Sequence, residues 1–309
     1  MEQQPGLSDL HRHLDGSLRA RTVLEFASRL GLAVPPQLPF RPGMGLSEAL
    51  ARFGFTLSLL QHPHDVLRVA REICEDAQAE NVTTLEIRFA PQLHRGAPTA
   101  AIVDAALEGI AGRAGLILCG LYGEAPSVLG DLVEIAAHRP GVVGIDLAGG
   151  PAPSHAWSLD DYAPAFRRAR ELGLGRTVHA GEGRPPQEIR HAIQNLHAQR
   201  IGHGTTLLDD PTVLLLALER GVTIEACVTS NLHVGAIASI DDHPLPRWLA
   251  AGVQATVCTD NTLLSAVDAP EECRRVARIP GMTSTSMEAC TQHGHRGAFP
   301  RTRALLGHG

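Results

Sequence analysis

Aromatic residues are scarce, 4% of a 309-residue chain, which leaves little for the base-stacking platforms of single-strand nucleic-acid binders. Excess positive charge is missing too. The 27 basic and 33 acidic residues give a formal charge of −6, so nothing steers the chain toward nucleic acid or an anionic membrane. No apolar run reaches the ~18 residues of a membrane span. Residues 1–9 lack a charged segment running into an apolar one, so no signal peptide is expected. The six cysteines (Cys74, Cys119, Cys227, Cys258, Cys273, Cys290) contain no Cys-x-x-Cys pair. Cys119, Cys227 and Cys258 lie in apolar strand-like runs, where a free cysteine behaves as a small hydrophobe. These absences lead us to expect a reduced, soluble, cytoplasmic protein with a small-molecule substrate. There is no internal repeat and no low-complexity linker, and the Pro/Gly-rich stretch 34–45 reads as a surface loop. We therefore expect one domain over residues 1–309.

What is present is alternation. Short β-rich runs are predicted at 9–13, 83–90, 115–122, 142–148, 176–180, 200–203, 223–229 and 254–259. Amphipathic helical stretches fall between them at 65–79, 100–113, 159–172, 186–197 and 211–220. Asp209-Asp210-Pro211 is a helix start, and Gly173 and Gly221 sit where C-terminal glycines belong. Eight strands alternating with helices fit an eight-stranded parallel (β/α)8 TIM barrel, with an N-terminal helical insertion after strand 1 around 20–55. The stretch 266–299, broken by Pro270, Pro280 and Gly281, predicts a short or irregular final helix. A doubly wound open sheet is the alternative, but it would keep the first and last strands apart.

Four short segments at strand ends carry the chemistry: Leu10-His11-Arg12-His13, Val178-His179-Ala180-Gly181-Glu182, Ile201-Gly202-His203-Gly204 and Cys258-Thr259-Asp260-Asn261. Histidines at i and i+2 on a strand share a face and can grip one ion. A third histidine and an aspartate from downstream would complete a mixed N/O site. Glu182, three residues after His179, is placed to act as acid or base. The pattern points to metal-assisted hydrolysis.

With the continuation Leu14-Asp15-Gly16-Ser17-Leu18-Arg19, the chain resembles the adenosine deaminase family of the amidohydrolase superfamily. The likeness extends through Leu85-Glu86-Ile87-Arg88-Phe89-Ala90-Pro91, Gly144-Ile145-Asp146-Leu147-Ala148-Gly149, His179-Ala180-Gly181-Glu182 and Arg200-Ile201-Gly202-His203-Gly204. It continues through Ile224-Glu225-Ala226-Cys227-Val228-Thr229-Ser230-Asn231, His243-Pro244 and Thr259-Asp260. The resemblance implies a barrel holding one catalytic zinc that hydrolyses a 6-aminopurine nucleoside (adenosine or 2′-deoxyadenosine) to its 6-oxo product and ammonia. By the same resemblance His11, His13, His179 and Asp260 are the metal ligands, and other divalent ions also suit such a site. His203 would hydrogen-bond the attacking water, and Glu182 would protonate ring N1 and therefore needs a raised pKa. Asp15 would hold the ribose 5′-hydroxyl, the Gly149 N–H would meet purine N3, and His13 would also border the substrate.

Two departures bear on the substrate. Asn261 stands where most members carry a second aspartate; it keeps an N–H donor for purine N7 but cannot exchange a proton. Gly149-Gly150-Pro151 replaces an acidic pair after the glycine. Aminodeoxyfutalosine, adenine and N6-substituted AMP are the rival substrates, with Arg12, Arg19 and Arg184 as candidate phosphate contacts. A metal- or nucleoside-binding relative without turnover is the reading from another class, and it would need neither Glu182 nor His203. No lysine near strand four is available to bridge two metals. The cytidine-deaminase signature is absent.

Overall fold

The computed structural model describes residues 6–152 and 154–307. Its eight strands are β1 (Leu7–His13), β2 (Val82–Phe89), β3 (Gly115–Leu121), β4 (Val142–Ala148), β5 (Gly175–Ala180), β6 (Arg200–His203), β7 (Thr223–Ala226) and β8 (Gln254–Val257). They pair in parallel in the order β1 to β8. The ends meet just beyond β8. Arg12 bridges Asp260, His13 N–H donates to Asp260 O (2.7 Å), and Asp260 N–H donates to His11 O (2.8 Å). This is the TIM barrel expected from the alternation, with helices covering the outside so that strands such as β4 are buried throughout.

Three helices, α1 (Ala20–Leu30), α2 (Leu46–Leu59) and α3 (Pro63–Ala79), precede β2. The barrel helices follow as α4 (Thr99–Ile110), α5 (Pro126–Ala137), α6 (Ala163–Glu171), α7 (Gln187–Gln194) and α8 (Pro211–Glu219). The last ones are α9 (Val228–Val234), α10 (Leu245–Ala250), α11 (Ala269–Val276), α12 (Ser284–Gly297) and α13 (Pro300–Leu306). Asp210 caps α8 by accepting from Thr212 N–H, and Gly173 and Gly221 take positive φ. No described helix is long and apolar enough to cross a membrane.

The structure corrects three expectations. Residues 223–229 are not all strand: β7 stops at Ala226 and α9 begins at Val228. The cause is tertiary, because Glu272 of α11 accepts the Thr229 backbone N–H (2.8 Å) at the start of α9, overriding a β-branched local sequence. Residues 266–299 hold the 8-residue α11 and the 14-residue α12. Pro270 sits in the first turn of α11, Pro280 and Gly281 lie between the helices, and Thr283 caps α12 through Ser286 N–H. Finally, 34–45 is a loop but not merely a surface one, since Leu38, Phe40 and Met44 are buried and Phe40 N–H donates to Leu264 O (2.6 Å).

Candidate active site

The segments singled out in the sequence converge at the C-terminal mouth of the barrel, where this fold places its chemistry. His11 and His13 share the inward face of β1, and His179 comes from β5. Their ring nitrogens approach closely, with His13 Nε2 lying 3.3 Å from both His11 Nε2 and His179 Nε2. Asp260 Oδ1 lies 3.4 Å from His13 Nε2 and 3.6 Å from His11 Nε2. Asp260 adopts positive φ (60°), as does His203 (69°), a conformation that costs a non-glycine residue and recurs at functional sites.

Behind the imidazoles lies a buried charged lattice. Glu225 accepts from His11 Nδ1 (2.7 Å), Arg88 Nη2 (2.8 Å) and Thr177 Oγ1 (3.1 Å), and Arg200 Nε pairs with it at 2.7 Å. Asp146 accepts from Arg88 Nη1 (2.8 Å) and lies 3.1 Å from His179 Nδ1. Arg88 therefore bridges the two carboxylates that orient His11 and His179. With each Nδ1–H so engaged, Nε2 carries a lone pair aimed at the centre. Burial, reinforced by Arg88, holds His11 well below the ordinary histidine range and hence neutral. Where these imidazoles are neutral, lone pairs and a carboxylate oxygen at 3.3–3.6 Å repel one another, and a cation among them relieves that repulsion. A tetrahedral ion with ligands at about 2.0–2.1 Å has ligand–ligand edges of roughly 3.3–3.4 Å. The donor types suit such an ion, and four of the six edges, at 3.3–3.6 Å, match that spacing.

Glu182 follows β5 between Gly181 (φ 67°) and Gly183 (φ 63°). Its Oε1 lies 3.4 Å from His203 Nδ1 and 3.5 Å from Asn231 Nδ2. Its Oε2 lies 3.8 Å from Arg184 Nη1. Burial pushes its pKa up to about 7, against the opposing pull of Arg184. Asp15 is likewise raised to about 7 by burial, and its Oδ1 has no partner. Asn261 packs its Oδ1 against Gly16, where a Cβ would lie 1.9 Å away. A cavity of about 560 Å³ joins these groups. Its lining includes His13, Asp15, Gly149, Glu182, His203, Asp260 and Asn261, with apolar Leu46, Leu50, Phe53 and Leu57 from α2.

Sequence reasoning missed several participants. Arg88 and Glu225 were quoted only as parts of strings, although a charged residue at an inward position of a buried strand is itself a signal. Asn231, which touches His203, and His243, which touches Asn231, carried no periodic mark. Two suggested phosphate contacts point elsewhere, since Arg12 pairs with Asp9 and Glu80, and Arg19 with Glu75 and Asp76. Arg184 is held by Glu188 (2.8 Å) and packs on Gly150. His94 and His233 pack against Phe89 and Phe40.

A barrel with histidines and an aspartate gathered at its mouth defines a metal-dependent amidohydrolase architecture. A sequence model of the adenosine deaminase family matches residues 6–305. An adenosine deaminase of Erwinia tasmaniensis is 32% identical over 322 residues, covering 97% of this chain and 95% of its own. Among solved structures, the N6-mAMP deaminase of Arabidopsis superposes with TM-score 0.85 at 25% identity, covering 98% of each chain. The adenine deaminase of Arthrobacter aurescens does so with TM-score 0.87 at 24% identity and the same coverage; that likeness speaks to the fold. The chain belongs to the adenosine deaminase family.

Proposed function

We propose that residues 1–309 act as one domain that hydrolyses a 6-aminopurine nucleoside, adenosine or 2′-deoxyadenosine, to the 6-oxo nucleoside and ammonia. One observation carries this reading above the rest: His11, His13, His179 and Asp260 gather their donor atoms around His13 Nε2 at 3.3–3.6 Å and open onto the same cavity as a buried carboxyl, Glu182. Zinc, one per chain, is the ion we assign to it, on the strength of three imidazoles and one carboxylate. When bound, it supplies Lewis acidity that makes water nucleophilic near neutral pH.

The side chains do the rest. Glu182, protonated near neutrality because it is buried, gives its proton to ring N1 as water oxygen bonds to C6. Of the two protons the water gives up, one returns to Glu182 and the other passes from the C6 hydroxyl to the amino group, which leaves as ammonia as the C6–N bond breaks, and the ring is left as the 6-oxo form. His203 hydrogen-bonds the nucleophile. Asn261 donates its amide N–H to N7, the Gly149 N–H meets N3, and Asp15 accepts from the sugar hydroxyl. Gly149 has φ 80°, so a side chain there would strain the backbone that delivers this N–H.

The cavity favours a nucleoside over a nucleotide. Its lining carries no arginine, and the chain has no lysine at all. A phosphate would find no guanidinium or ammonium group in the lining to pair with. Adenine, aminodeoxyfutalosine and N6-substituted AMP remain in the test panel, as does a binding protein without turnover. The test is ammonia release from adenosine, 2′-deoxyadenosine, adenine, AMP and aminodeoxyfutalosine, with metal measured on the same sample. Turnover of a nucleoside with about one metal per chain supports the reading. No ammonia from any of them, with metal present, overturns it in favour of binding alone.

A further inference from the structure

Outside the ligand set, a chain of contacts runs from a backbone amide to His203. It starts at the Leu245 N–H, which opens α10 and donates to His243 Nδ1 (3.1 Å). A backbone amide is always a donor, so this contact fixes His243 Nδ1 as an acceptor. Burial lowers the His243 pKa to about 3, so the ring is neutral and its one proton sits on Nε2. That proton faces Asn231 Oδ1 at 3.3 Å, which settles the amide orientation that coordinates alone leave open. Asn231 Nδ2 then points its hydrogens at His203 Nδ1 (3.0 Å) and Glu182 Oε1 (3.5 Å).

We infer that His243 and Asn231 are positioning residues that fix His203 as the Nε2–H tautomer. A proton on His203 Nδ1 would confront the Asn231 amide hydrogens at 3.0 Å, donor against donor, and the other neighbour of that nitrogen, Glu182 Oε1, is more distant at 3.4 Å. The ring therefore presents an N–H at its other nitrogen, and His203 serves as a hydrogen-bond donor to the nucleophile. This explains a selection the distances leave open, because His203 also groups with His11 and Asp260 at metal-binding range. A nitrogen that carries a proton has no lone pair to ligate with. The inference rests on the reaction proposed above for its purpose, though its geometry stands apart from it.

The test is the imidazole 15N spectrum of the zinc-loaded enzyme labelled at histidine, with His203 assigned by its loss in His203→Gln. Expected are an unprotonated Nδ1 and a protonated Nε2 at His203. Asn231→Asp substitutes a pure acceptor and should move the proton to Nδ1, with kcat falling roughly tenfold to a hundredfold and KM changing less. His243→Gln, which can still donate to Asn231, should keep the wild-type tautomer, whereas His243→Leu should release it. Finding Nδ1–H in the wild type, or an unmoved proton in Asn231→Asp, overturns the inference. Absence of turnover on the nucleoside panel with the expected 15N pattern would instead strike the proposed reaction and leave the positioning intact.

Discussion

Glu225→Gln tests the lattice that stands behind the metal ligands. The carboxylate is fully buried, receives hydrogen bonds from His11, Arg88 and Thr177 at 2.7–3.1 Å, and pairs with Arg200 at 2.7 Å. Glutamine keeps one acceptor, turns the other oxygen into a donor facing donors, and removes the charge between two buried guanidinium groups. Removing one partner of a buried ion pair costs about 3–5 kcal/mol, a large share of the roughly 5–15 kcal/mol that holds a domain folded. For a chain of this size the melting temperature should fall on the order of 10 °C. Separately, His11 loses the group that orients its ring, and outer partners of this kind are worth about 10–100-fold in metal affinity. Melts of zinc-stripped protein read the first effect. Chelator competition, together with the zinc-induced rise in melting temperature, reads the second, since that rise follows the ratio of free zinc to Kd. A variant that melts lower but binds zinc as tightly as before would refute the claim that Glu225 holds His11 for the metal.

Glu182→Gln should lower kcat by roughly 10²–10⁴-fold while metal content stays near one per chain; parallel loss of metal and activity would make Glu182 structural. Glu272, raised from its ordinary 4.5 to about 7 by burial, keeps its proton in the folded state where the unfolded chain has lost it. Its contribution is therefore fully present below pH 4.5 and is lost as pH rises toward 7, at about 1.4 kcal/mol per pH unit. Urea unfolding at pH 5, 6 and 7 should give a flatter profile for Glu272→Gln, and identical slopes would sink the assignment. Gly16→Ala places a Cβ 1.9 Å from Asn261 Oδ1, so Asn261 must move. A roughly tenfold fall in kcat/KM with metal retained is expected, and unchanged kinetics would remove Asn261 from the substrate contacts.

Much of this was legible in the sequence because strand period and strand-end chemistry are local. The four segments named for chemistry needed only a two-residue repeat and a nearby turn to be placed at one mouth. The unread part is non-local. Arg88 and Glu225 lie 137 residues apart, and nothing in either strand says that they share two carboxylates and two imidazoles with Asp146. Thr229 looks like strand until Glu272 takes its amide. Asn231 and His243 acquire meaning only from the direction of one backbone N–H on α10. The loop before α2 gave a correct turn composition but hid Leu38, Phe40 and Met44, whose burial depends on what the barrel mouth offers them.

The seam of the barrel has a consequence of its own. β1 and β8 meet through the Arg12–Asp260 bridge and two backbone hydrogen bonds, and strand ends as far apart in sequence as Asp9 and Thr259, 250 residues, are tied there. Three of the four donors, His11, His13 and Asp260, stand on either side of that junction. An ion held by them would work as a staple across a loop of about 250 residues, and closing a long loop restrains the unfolded ensemble strongly. With the proposed ion bound, reagent and clasp would be one object, and the barrel that positions the ion would in turn be kept shut by it.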